Sequence, residues 1–131
     1  ISPLQIMGVK KNLILKLATR ILTMLEMESR KNHLVEWLSG GERQKLCLGR
    51  ALIHQPRLVL ADEPTGQLDQ YSAYDLVETL YLYCQEEKAS VIVSTHNDRL
   101  LKCFSGRILQ LNQGRLVSDR ICKEKAEMGI R

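Results

Sequence analysis

At 131 residues, 44% hydrophobic and 26% charged, the chain has the length of one domain and enough apolar material for a core. This composition excludes a disordered or fibrous chain, and Lys16 and Arg20 interrupt the apolar segment 13–25 before it reaches the roughly 18 residues of a membrane span. The net charge of +4 is unevenly placed, with nine Lys/Arg against four Asp/Glu in residues 1–50 and ten against eleven in residues 51–131.

A basic front suits nucleic acid, anionic lipid head groups or a charged partner, and equally a solvated helix face. Aromatics amount to 5% and do not interleave with the basic residues, which argues against a surface that stacks single-stranded bases. The chain opens Ile-Ser-Pro, with neither an initiating Met nor a signal-peptide pattern, so the numbering is expected to begin inside a longer protein.

From Asn12 to Glu28, the residues Leu13, Leu17, Ile21, Met24 and Leu25 recur at helical spacing and predict an amphipathic helix with these side chains on its buried stripe. The polar run 28–33 breaks it. Next comes Leu-Ser-Gly-Gly-Glu-Arg-Gln-Lys-Leu, from Leu38 to Leu46. Ser39 is a good N-cap, Gly40 and Gly41 leave the backbone bare, and Glu42 stands at the capping-box spacing. Such a start can be simply a well-capped helix, or an anion site, because bare N–H groups at a helix start suit phosphate.

The helix is expected over 42–54, stopped by Gln55-Pro56 because the residue before proline avoids helical angles. Residues 57–61 read as a strand buried on both faces, Pro64-Thr65-Gly66 as a turn, and 70–87 as a helix with Leu76, Leu80 and Tyr83 on one side. Residues 90–94 predict a second buried strand, so that strand, helix and strand form a crossover unit with parallel strands. Residues 107–111 and 115–118, joined by Asn112-Gln113-Gly114, read as a hairpin, and 119–131 as a charged, frayed helical tail. None of Cys47, Cys84, Cys103 and Cys122 forms a C-x-x-C pair, which predicts reduced thiols in a cytosolic protein rather than a zinc or redox centre.

The chemistry-bearing residues follow the two parallel strands: Asp62 and Glu63 after the first, Thr95 and His96 after the second. In open parallel sheets, ligands bind beyond the carboxyl ends of the strands. Asp62 suits Mg²⁺, a hard cation that brings phosphates with it. Glu63 could polarise a water for in-line attack on phosphorus. His96 could hold the phosphoryl oxygen or orient the glutamate.

Taken in order, these residues resemble a family. Leu38-Ser39-Gly40-Gly41-Glu42 resembles the signature motif of ABC-type ATPases, and Leu58-Val59-Leu60-Ala61-Asp62-Glu63-Pro64 their Walker B strand with its trailing Glu. Gly66-Gln67-Leu68-Asp69 is similar to the D-loop, and Ser94-Thr95-His96 to the switch histidine segment. Ala61-Asp62-Glu63-Pro64-Thr65-Gly66 and the closing run from Arg107 to Leu116 are similar to the subfamily that powers lipoprotein release and macrolide export.

The resemblance implies an α/β architecture: a partial P-loop NTPase fold of ABC type, with a helical subdomain, later parallel core strands and a terminal hairpin. It implies ATP and Mg²⁺ as cofactors. Ser39, Gly40, Gly41, Glu42 and Asp69 would bind nucleotide, Asp62 would hold the metal, and Glu63 and His96 would be catalytic. The signature would close over ATP held by a second ATPase subunit in a head-to-tail dimer. Transmembrane permease subunits would place the protein peripherally at the cytoplasmic face of a membrane; no nucleic acid is expected. Residues 1–55 would be the helical portion, 56–118 the core portion and 119–131 the tail.

Departures are equally informative. The 131 residues hold no G-x-x-x-x-G-K-[ST] loop, the Walker A element whose backbone and Lys cradle phosphates, and the isolated chain is expected to be inactive. The glutamine loop and adenine-stacking aromatic of the family are also missing. Gln67 replaces the usual Asn of the D-loop, and Gly49 stands where Ala is common, at a cost of about 1 kcal/mol mid-helix. Two other readings share the motifs: a nucleic-acid-associated ATPase of the same family, and a non-catalytic remnant that only binds partners.

Overall fold

The computed structural model describes residues 4, 8–97, 101 and 105–122. Its contacts divide the chain into two units, Ile1–Ser94 and Thr95–Arg131.

The first unit begins with α1, Lys11–Met24. Ile21 and Leu25 are buried as the periodicity predicts, but Leu13 is half exposed, so the buried stripe covers only the later turns. The helix stops four residues before the expected Glu28. Glu26 takes a left-handed backbone at φ 57, and the N–H groups of Glu26 and Met27 close back onto Thr23 and Leu22. This is a Schellman ending with Glu in the place usually given to Gly, and the buried Met27 supplies its hydrophobic contact. A left-handed glutamate has no local signature, which is why the pattern overran the end. Short 3₁₀ turns at Glu28–Arg30 and Val35–Trp37 lead to α2, Gly40–Leu52.

Gly49 lies buried where α2 meets α1. A Cβ there would lie 2.7 Å from Leu25 Cδ1 and 3.0 Å from Ile21 Cγ2. The glycine expected to cost helix propensity therefore admits α1 against α2.

Strand β1, Leu58–Asp62, and strand β2, Ser90–Ser94, pair in parallel with Leu58 opposite Ser90 and Asp62 opposite Ser94. Between them runs α3, Gln70–Glu87, with the expected bounds, and Leu76, Leu80 and Tyr83 are all buried. The core joins these three to Ile21, Leu25, Leu38, Leu52 and Val59. Tyr83 stands in it with its hydroxyl donating to the Pro56 carbonyl at 3.0 Å. Arg20 reaches Glu86 and Glu87 at 3.0 and 2.5 Å, fastening α1 to the end of α3.

One expectation fails here. The apolar runs predict strands buried on both faces, yet Leu58, Leu60 and Ile92 are 52, 72 and 61% exposed. Alternation sends Val59 and Val91 into the helical core and their neighbours to the other face, which no described residue covers.

The second unit is a hairpin of β3, Gly106–Asn112, and β4, Arg115–Cys122. Gln113 and Gly114 turn it with φ of 48° and 75°, the positive pair of a two-residue loop. Residues 119–122 correct the reading of a helical tail, because β4 continues through them. Arg107 grips Asp119 with two hydrogen bonds of 2.9 and 2.6 Å across the strands, and the ladder runs on to Cys122. The remainder of the tail, 123–131, and Cys103 lie outside the described residues.

Candidate functional site

The Ser-Gly-Gly turn forms the capping box its spacing predicts. Ser39 Oγ accepts from Glu42 N at 3.2 Å, and Glu42 Oε2 accepts from Ser39 N at 2.8 Å. The first helical backbone bond runs from Arg43 N to Ser39 O at 2.9 Å. The N–H groups of Gly40 and Gly41 are therefore left without a partner among the described residues, at the positive end of α2. Arg30 Nε donates to Glu42 Oε1 at 2.6 Å, so the box is held from outside as well. That guanidinium, with the Ser39 N–H second, lowers the Glu42 carboxyl to about 2. An open groove of about 220 Å³ borders the turn, lined among others by Arg30, Ser39, Gly41, Lys45 and Ser72.

The acidic pair closes β1. Asp62 is exposed and accepts a hydrogen bond from the Ser94 hydroxyl, its cross-strand neighbour. Glu63 is half-buried and takes a left-handed backbone at φ 42. Its N–H points back at β2, 3.1 Å from Ser94 O and 3.3 Å from Ser94 Oγ. Non-glycine residues at positive φ are uncommon, cost energy, and concentrate at functional sites. Here the deviation turns the chain sharply out of the strand, and Gly66 N completes the turn on Glu63 O at 3.1 Å.

The two parts meet within the first unit. Gln44, on the first turns of α2, donates to the Pro64 carbonyl at 2.7 Å. A Cβ on Gly41 would stand 3.5 Å from Ser72 Oγ and 3.8 Å from Leu68 Cδ2, so the glycine-bare helix start packs beside the start of α3. Lys45 adds an ion pair to Asp75 of α3 and donates to Leu25 O at 3.2 Å.

Asp69 is the N-cap of α3. It accepts from Tyr71 N and Ser72 N at 3.0 and 3.1 Å and from Ser72 Oγ at 2.6 Å, and the Ser72 hydroxyl chiefly lowers its carboxyl below the usual value. Its side chain is engaged by its own helix. His96 is exposed and belongs to the second unit, two residues beyond the end of β2. Among the described residues no three His, Cys, Asp or Glu side chains gather as a metal cluster. Asp62 and the Ser94 hydroxyl are hard oxygen donors of the kind Mg²⁺ takes when phosphates complete its shell.

Four partners escaped the sequence reading: Arg30, Gln44, Ser72 and Ser94. Ser94 was open to discovery, because aligning the two strands end to end places it opposite Asp62. Ser72 stands at the third helical position after an Asp N-cap, a capping pattern. Arg30 and Gln44 act across 12 and 20 residues of chain and carry no local signal.

The ABC transporter family profile matches residues 5–66. The lipoprotein-releasing system ATP-binding protein LolD of Hyphomonas neptunium is 43% identical over 88% of this chain and 50% of its own length. The phosphonates import ATP-binding protein PhnC 3 of Nostoc sp. is 44% identical over 65% of this chain and 32% of its own. The solved dimeric structure of a bacterial ABC transporter cassette superposes with a TM-score of 0.68 at 34% identity, over 81% of this chain and 46% of that one. The chain thus spans about half, or less, of the length of the relatives it matches. Together with the motifs in their order, these likenesses make the chain similar, over most of its length, to one part of the ATP-binding proteins of ABC transporters.

Proposed function

We propose that the complete protein is the ATP-binding and hydrolysing subunit of an ABC transporter, working as a head-to-tail dimer under transmembrane permease subunits at the cytoplasmic face of a membrane. The observation that carries this reading is the Ser39–Glu42 turn. It is a capped helix start with two open N–H groups, tied to the turn that follows an acidic pair. Ser39, Gly40 and Gly41 donate to the γ-phosphate of ATP held by the partner subunit, while Glu42 keeps the turn in shape. Asp69 holds the start of α3 beside that phosphate. Residues 1–55 supply the helical portion and 56–118 the core portion, and of the residues beyond, 119–122 complete β4.

Asp62 would hold Mg²⁺, which when bound supplies charge neutralisation on the phosphates. Glu63 accepts a proton from the attacking water. His96 donates to the phosphoryl oxygen. Likeness to a lipoprotein-releasing ATPase over most of the chain supports export of a lipid-like cargo.

The test uses the complete protein with its phosphate-binding half. Glu63→Gln is expected to lower turnover roughly 100-fold or more, about 3 kcal/mol of barrier, while ATP still binds and the dimer stays closed. Ser39→Arg and Gly41→Asp are expected to leave ATP binding to one subunit intact and to block dimer closure. His96→Ala should assemble and hydrolyse poorly. Size-exclusion profiles and phosphate release with ATP present separate these outcomes. Near-normal turnover in Glu63→Gln removes the proposed base, and a closed dimer in Gly41→Asp removes the phosphate clamp.

A further inference from the structure

Gln44 touches neither nucleotide nor metal in these roles, yet its side chain joins the two halves of the site. It is half-buried on α2, and its Nε2 donates to the carbonyl oxygen of Pro64 at 2.7 Å. Pro64 directly follows Glu63, the residue whose backbone is held at φ 42. On one side that backbone is secured by β2, through Glu63 N to Ser94 O and Oγ at 3.1 and 3.3 Å. On the other side stands proline, which fixes its own φ and has no N–H to offer. Its carbonyl is thus the one conventional hydrogen-bonding group its backbone has, and Gln44 takes it.

We infer that Gln44 is a positioning residue: it anchors the Glu63–Gly66 turn to α2, and so sets the Glu63 carboxylate in register with the Ser39–Gly41 turn of the same chain. The inference rests on the proposed role of Glu63 as base. A left-handed turn released at Pro64 has a lower-energy backbone to relax into, and the carboxylate moves with it. Misplacement by an ångström is enough to cost a large factor in rate without altering binding. In a head-to-tail dimer the two turns of one chain serve different nucleotides. The same hydrogen bond then couples the two sites, and its loss reduces the cooperativity of turnover in ATP.

The experiment compares Gln44→Met, Gln44→Lys and Glu63→Gln in the complete protein with Mg²⁺ and ATP. Met keeps the length of the side chain and removes the donor; Lys has similar reach and restores an N–H donor. Gln44→Met is expected to lower kcat about tenfold, with KM for ATP within about twofold and a smaller Hill coefficient. Gln44→Lys is expected to recover most of kcat, which a purely structural role for the amide would not produce. Should Gln44→Met fail to fold, Gln44→Asn, one methylene too short to reach Pro64, makes the same comparison. Wild-type kcat in the donor-less variant, or a loss that Lys does not restore, overturns the inference while an inactive Glu63→Gln leaves the base in place. An active Glu63→Gln overturns both.

Discussion

The helices and the sheet of the first unit are stabilised in different ways. The helical layer is buried deeply: Ile21, Leu25, Leu52, Leu76, Leu80 and Tyr83 share one core with Val59 of β1, and Lys45 and Arg20 pin the helices with ion pairs. Among the described residues the sheet is covered on one face only, with Leu58, Leu60 and Ile92 open on the other. Each layer carries one half of the candidate site. The Ser39–Glu42 turn is held by its own helix and by Arg30, whereas the Glu63 turn depends on a neighbouring strand and on Gln44. A turn fixed by its own capping residues is set locally, while one fixed across the fold is only as well placed as the layer behind it.

The largest test of that contrast sets a buried leucine against an exposed one. Leu80 is fully buried at the centre of α3, so Leu80→Ala is expected to cost about 2–5 kcal/mol, the range for deleting a core side chain into a cavity that only partly collapses. Leu60, 72% exposed, packs against little. In the 131-residue chain, Leu60→Lys is expected to leave the helical core intact and to reduce self-association, because a charge breaks an exposed apolar strand face. Urea unfolding reads the first change and light scattering the second. A Leu80→Ala loss below about 1 kcal/mol, or scattering unaltered by Leu60→Lys, would show that the two layers do not differ as the burial indicates.

How far the sequence could be read follows the same division. The capping box at Ser39, the bounds of α3 and the parallel pairing of β1 with β2 were all legible, because each depends on residues a few positions apart or on strand periodicity. The end of α1 was not, since Glu26 adopts the left-handed ending without being Gly. The continuation of β4 past Ser118 was hidden by alternating charges. Asp119, expected in a charged tail, instead pairs diagonally across the strands with the Arg107 guanidinium. Within the site, residue types and order pointed to Asp62 and Glu63. Neither the positive φ of Glu63 nor its supports in Ser94 and Gln44 can be read from a linear pattern. A tertiary hydrogen bond that spans 20 residues leaves no trace in local spacing.

A smaller effect is expected where α1 meets α2. Gly49→Ala would gain about 1 kcal/mol of helix propensity in isolation. In this protein the new methyl meets Leu25 Cδ1 at 2.7 Å and Ile21 Cγ2 at 3.0 Å, and Leu25 is 1% exposed. Overpacking of that kind costs about 1–3 kcal/mol, so the balance is a net loss of about 1 kcal/mol. Adding Leu25→Val, which shortens the obstructing side chain, should return part of that loss. A Gly49→Ala protein more stable than its parent would mean that the helices can separate there at no cost.

The smallest effect concerns the turn that is fixed locally, and it is visible through pH. Arg30, with the Ser39 N–H second, lowers the Glu42 carboxyl from 4.5 to about 2. A carboxyl lowered by folding contributes stability that is complete above its unfolded value and is lost as pH falls through the folded value. The contribution of the capping box is therefore whole near neutrality and disappears between about 4.5 and about 2. Glu42→Gln keeps a neutral acceptor for the Ser39 N–H and gives up the charge facing Arg30. Its urea midpoint should fall below that of the parent near neutral pH, and the two should converge as the pH approaches about 2. The shift is small because water screens the exposed Arg30. Arg30→Met should lower the midpoint in the same way, and the double variant should lose less than the sum of the two, since both remove one interaction. An unchanging gap across the whole pH range would mean that the Glu42 charge has no part in holding the Ser-Gly-Gly turn. Additive losses would assign Arg30 to some contact other than Glu42.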